Sequence, residues 1–108
     1  MNISGSTNGD TLVLRVDEPR IDAAVAVRFK DRMRVLMESA HKTIILDLSN
    51  VTFMDSSGLG SVVAVRKNLG TGQNLVLAGL HDNVRKVFRL TRMDSVFDIV
   101  ETAEAIVG

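Results

Sequence analysis

The chain has no cysteine, no tryptophan and no tyrosine, and only one proline and two histidines. Without cysteine there is no disulfide frame and no thiolate metal site, which fits a reducing cytoplasm. With no Trp or Tyr and four phenylalanines, it has no aromatic platform on which single-stranded nucleic acid could stack. Charge of one sign is missing too: thirteen Lys and Arg balance thirteen Asp and Glu. A neutral domain lacks the electrostatic footprint of a nucleic-acid binder. It also offers an anionic membrane surface nothing to attract. No apolar run approaches the roughly 18 residues of a membrane span. Met1 to Asp10 is polar, without the apolar segment of a secretory signal. These absences lead to the expectation of a cytoplasmic protein with no nucleic-acid partner and no direct membrane contact.

What is present is ordinary for a globular protein, 45 % hydrophobic and 24 % charged in 108 residues. That length reads as a single domain over residues 1–108. The segment Asn2 to Ser6, the turn residues Asn8-Gly9-Asp10 and the β-branched run Thr11 to Val16 predict an N-terminal β-hairpin. Pro19 ends that strand. Asp22 is placed to cap a helix whose stripe is Val25, Phe29, Met33, Leu36 and Ala40. The periodicity predicts about 18 residues, ending near His41. Ile44 to Leu48 reads as a mostly buried strand, Ser49-Asn50 as a polar break, and Val51, Phe53 and Met54 as a return to the core.

From about Ser57 to Leu69 the stripe Leu59, Val62, Val65 and Leu69, widened by Val63 and Ala64, predicts a second helix. Gly70-Thr71-Gly72 stops it. Leu75 to Leu77 is a short buried strand. Asp82 is placed to cap a third helix with Val84, Val87 and Phe88 inward, and its cations Arg85, Lys86, Arg89 and Arg92 read as a solvated face. Ser95 to Val100 reads as a last strand, and Glu101 to Val107 as a final helical stub. The class is α/β: a mixed, mostly parallel β-sheet with an N-terminal hairpin and about four helices.

Enzymatic chemistry finds little support. His41 and His81 are the only imidazoles, and Met54-Asp55-Ser56-Ser57-Gly58 is not the Gly-x-Ser-x-Gly nucleophile elbow. Neither histidine joins a set with metal-ligand spacing, so no metal and no cofactor are expected. The junction also lacks a dinucleotide fingerprint or a P-loop.

That leaves two adjacent serines at a strand-to-helix junction. Either could cap the helix, contributing on the order of 1 kcal/mol. Alternatively one is a phosphorylation switch. A phosphate there adds about −1.5 to −2 charge beside Asp55. A helix N-terminus tolerates that charge, whereas a partner surface packed on it would have to desolvate a dianion and would repel it with any nearby carboxylate.

The stretch Leu46-Asp47-Leu48-Ser49-Asn50-Val51-Thr52-Phe53-Met54-Asp55-Ser56-Ser57-Gly58-Leu59-Gly60 resembles the anti-sigma factor antagonists of the STAS domain family. The order of elements follows that family along nearly the whole chain. Arg20-Ile21-Asp22 stands at its Gly-x-Leu/Ile-Asp motif, with Pro19 in place of the usual glycine. The resemblance implies a non-enzymatic switch. In the family, the unmodified antagonist binds an anti-sigma factor that is also a serine kinase, and the sigma factor is released. The kinase phosphorylates the first serine after the aspartate, here Ser56, and a serine phosphatase reverses this. Asp22, Asp55, Ser57, Gly58 and Leu59 would then lie at or near the kinase contact. The alternative is a STAS regulatory subunit of a membrane transporter complex.

Overall fold

A computed structural model describes residues 1–39 and 41–104. The β-branched run of the N-terminal third forms strands β1 (Ile3–Asn8) and β2 (Thr11–Val16), paired antiparallel. Gly9 turns this hairpin with φ near +59°, a left-handed conformation that glycine adopts without steric cost. The apolar run of residues 43–48 supplies β4 (Thr43–Asp47), which pairs parallel with β2. Next come β6 (Asn74–Ala78) and β7 (Asp98–Val100), also parallel. The sheet order β1-β2-β4-β6-β7 is the mixed, mostly parallel sheet expected. A separate two-stranded ribbon pairs β3 (Arg20–Ile21) with β5 (Phe53–Met54) in parallel. Two-residue strands carry no readable periodicity, and the ribbon was not anticipated.

Pleating divides the sheet into two faces. Leu12, Leu14, Ile44, Leu46, Leu75 and Leu77 point to the main core. There they meet Phe29 and Met33 of α1 (Ala26–Leu36), Leu59, Val62 and Val65 of α2 (Ser56–Lys67), and Val84 and Phe88 of α3 (Asp82–Leu90). On the opposite face Ile45, Val76 and Ala78 pack with Ala103. Burying β4 from both sides leaves Ile44, Ile45 and Leu46 with no exposed surface, which is why that run does not alternate. Phe97 closes the core edge-on against Phe88, ring centroids 5.5 Å apart.

The first helix corrects the expectation. It spans eleven residues rather than about 18, and Asp22 does not cap it. Its N-terminal boundary is Val25, which offers no capping side chain. Asp22 through Val25 instead form a turn, in which the Val25 N–H donates to the Asp22 carbonyl at 3.0 Å. At the other end Met37 is the C-cap, so His41 lies beyond the helix, with Nδ1 2.8 Å from the Ser39 hydroxyl. Ala40, the last position of the predicted stripe, lies outside the described residues.

Asp82 is the first residue of α3 rather than its cap; His81 occupies the cap position. The His81 side chain donates from Nε2 to the Ser49 carbonyl at 2.9 Å, which ties α3 to the loop after β4. The last strand is shorter than predicted because Ser95 ends a 3-10 turn begun at Met93 and the Val96 and Phe97 N–H groups both donate back to the Met93 carbonyl, at 3.0 Å each. Three α-helices and this turn are described. Of the predicted fourth helix, Glu101 to Val107, the first three residues are not helical, Glu104 is, and residues 105–107 lie outside the described residues.

Candidate functional site

The two strands of the ribbon run parallel and in register, Arg20 beside Phe53 and Ile21 beside Met54. Each is followed by an aspartate and then by a helix. Asp22 and Asp55 therefore leave the ribbon side by side. The loop of residues 19–22 is stitched to the other strand, since the Thr52 and Phe53 N–H groups both donate to the Pro19 carbonyl at 2.8 and 3.2 Å.

Asp55 is the N-cap of α2, where serine capping had been the simplest expectation. Its Oδ1 accepts from the Gly58 N–H at 2.8 Å, satisfying one of the donors left free in a first helical turn. Its Oδ2 accepts from the Ala23 N–H at 3.1 Å. One carboxylate thus joins the start of α2 to the turn before α1. The Gly58 N–H holds the Asp55 carboxyl below the ordinary aspartate range; partial desolvation opposes this and the Ala23 N–H reinforces it. Asp22 is arranged differently. Its Oδ1 accepts from the Ala24 N–H at 3.2 Å and its Oδ2 from Arg20 Nε at 3.2 Å.

Gly58 is buried, and a Cβ there would stand 1.8 Å from the Ile21 carbonyl oxygen. The first turn of α2 therefore lies directly on the β3 backbone, a packing open only to glycine. Leu59 is 9 % exposed and belongs to the core. Ser61, which sequence reasoning did not single out, is buried, and its hydroxyl donates to the Gly58 carbonyl at 2.6 Å. A polar side chain on the apolar stripe of a predicted helix was the available signal.

With the cap taken by Asp55, the Ser56 and Ser57 side chains are both exposed at the start of α2. Of the residues expected at a partner contact, Asp22 and Asp55 are partly exposed, Ser57 is exposed, and Gly58 and Leu59 are buried. Phe53, expected in the core, is 41 % exposed, with the Arg20 guanidinium 4.5 Å from its ring centroid. Among the described residues no group of three or more His, Cys, Asp or Glu could hold a metal ion. No described helix is long and apolar enough to cross a membrane.

Residues 2–106 match the family model of the STAS domain, and the chain belongs to that family. STAS proteins of the kind it resembles are non-enzymatic regulators. The chain is similar to an anti-sigma-B factor antagonist of Listeria monocytogenes, 35 % identical over 80 residues that cover 73 % of this chain and 70 % of that one. In fold it matches an anti-sigma factor antagonist from Mycobacterium paratuberculosis with a TM-score of 0.86 at 21 % identity, over 96 % of this chain and 88 % of that one. The Bacillus cell fate determinant SpoIIAA, solved in its phosphorylated form, matches with a TM-score of 0.68 at 23 % identity, over 97 % and 96 %. Domains of anion and sulfate transporter proteins share the fold as well.

Proposed function

We propose that this protein is an anti-sigma factor antagonist that works by partner switching in the cytoplasm. In its unmodified form it binds an anti-sigma factor serine kinase, so that the sigma factor is released. Phosphorylation of Ser56 ends that binding, and a serine phosphatase restores it. The kinase supplies ATP and magnesium; this chain serves as its substrate.

The observation that carries the reading is the division of labour at the start of α2. Asp55 does the capping, which leaves the Ser56 hydroxyl exposed and not needed for the fold. Gly58 and Leu59 seat the helix end on the ribbon and the core. In this reading Asp22, Asp55 and Ser57, each at least partly exposed, supply the rest of the contact.

A phosphate on the first residue of α2 sits at the positive end of the helix, where the folded protein tolerates it. Under a partner the same dianion must be stripped of water, so binding fails while the fold persists. Both serines are exposed, and it is the family resemblance that favours Ser56 over Ser57. The reading as a transporter subunit rests on fold alone, whereas the antagonist reading also has a relative in sequence.

The test is incubation with the cognate kinase and ATP, read by intact mass. Wild type gains one phosphate and Ser56→Ala gains none. A phosphate mapped to Ser57, or none on wild type, overturns the assignment.

A further inference from the structure

Phe53 is an exposed aromatic residue three positions before Ser56, and it is not loose. The Arg20 guanidinium lies 4.5 Å from its ring centroid, while Arg20 Nε donates to Asp22 Oδ2 at 3.2 Å. The ring and the cation are thus held together on the ribbon as a preformed knob. Beside it is a shallow hollow of about 230 Å³ lined by Glu18, Pro19, Arg20, Asp22, Ala24 and Val25. That volume falls below the roughly 300 to 1,000 Å³ of small-molecule sites and suits one inserted side chain. Pro19, Ala24 and Val25 provide an apolar lining; Glu18 and Asp22 bring two negative charges and Arg20 one positive charge, which is paired with Asp22 and leaves a net charge of one negative. Asp22 is already bonded to Arg20 and Ala24, whereas Glu18 forms no ion pair among the described residues.

We infer that the Phe53–Arg20 knob and the adjoining hollow form the anchoring half of the kinase contact, receiving one lysine or arginine of the kinase beside an apolar patch that covers Phe53. This rests on the partner-switching reading. A protein interface of ordinary size covers about 800 Å² on each partner. Phe53 and Ser56 are three positions apart, at most about 11 Å of chain. A partner seated over Ser56 therefore reaches both features. A basic side chain laid in the hollow would place its apolar stem on Pro19 and Val25 and its charge at Glu18. Aromatic and arginine anchors in preorganised positions are where binding energy concentrates. The consequence is separation of tasks: Ser56 decides whether the partner stays, and the knob and hollow decide which partner is accepted.

The test measures kinase affinity by calorimetry for the unmodified wild type, Phe53→Ala and Glu18→Gln, with thermal melting of each. Glu18→Gln melts like wild type, while Phe53→Ala, which loses a ring more than half covered, melts somewhat lower but remains folded at the temperature of the binding measurement. Phe53→Ala weakens binding about thirtyfold. Glu18→Gln weakens it about fivefold, and that loss shrinks at high salt, as an ion pair at an interface edge requires. Both variants within twofold of wild type would overturn the anchoring surface while leaving the switch at Ser56 intact. Wild type that does not bind the kinase would overturn the partner-switching reading and this surface with it.

Discussion

The two aspartates that leave the ribbon make an instructive pair. Both follow a two-residue strand, both precede a helix, and the parallel register places them side by side. Asp55 directs both oxygens to backbone N–H groups, Gly58 within its own helix and Ala23 in the neighbouring turn. Asp22 directs one oxygen to the Ala24 N–H and the other to an exposed arginine. One carboxylate is a structural bolt and the other belongs to the surface. The helices reflect this: α2 begins on a capped turn lying on the β3 backbone, while α1 begins without a capping side chain after a short turn. A site that must present one hydroxyl in a fixed position uses the bolted end.

Substitutions can break this contrast, starting where the effect is largest. Gly58→Ala forces a Cβ to 1.8 Å from the Ile21 carbonyl oxygen, so the helix end must lift off the ribbon. The expected loss is about 3 kcal/mol or more in urea denaturation. Gly60→Ala, two residues on, meets nothing within 4 Å. It should be neutral to stabilising by up to about 1 kcal/mol, because alanine favours the helix. Equal losses at the two glycines would mean that helix propensity, and not the contact with Ile21, sets the requirement.

Asp55→Asn should rank next, and its cost should depend on pH. The folded-state pKa of Asp55 lies below the ordinary value of 3.8, so in acid the unfolded chain binds more protons than the native one. The stability it contributes is complete above that ordinary value and is lost as pH falls through the lower, folded-state pKa. The gap between wild type and Asp55→Asn in urea midpoints should therefore be widest at neutral pH and narrow below about pH 4. A gap that stays constant into acid would show that the charge on Asp55 is unimportant. Asp22→Ala, at the other end of the comparison, removes one bond from a backbone N–H and a pair with an exposed arginine and should cost about 1 kcal/mol, with its larger effect appearing in kinase binding.

The pattern of what the residues disclosed in advance follows from range. Strands and helices carried by repeating burial were legible: the hairpin at Gly9, the doubly buried β4, and the stripe Leu59, Val62 and Val65. The start of α1 was not, because Val25 continues the apolar spacing even though the chain there is a turn. That turn is closed locally by the Asp22 carbonyl and side chain and is tied down by Asp55, far away in sequence, which takes the Ala23 N–H. The cap of α2 was ambiguous for a related reason. Asp, Ser and Ser are all good caps, and the choice among them depends on where the helix begins. Gly58 against the Ile21 carbonyl settles that position, again from across the ribbon. Phe53 was misplaced because its hydrophobicity reads as core, whereas a ribbon only two strands wide leaves one face open.

The central claim is that the fold holds Ser56 out to a partner without depending on it. The most direct measurement prepares the protein phosphorylated on Ser56 and compares it with the unmodified form in kinase affinity and in melting temperature. The predicted result is a loss of binding greater than a hundredfold, equivalent to about 3 kcal/mol, with melting temperatures that agree within about 2 °C. Equal affinity of the two forms, or a phosphorylated form that has lost its fold, would contradict it.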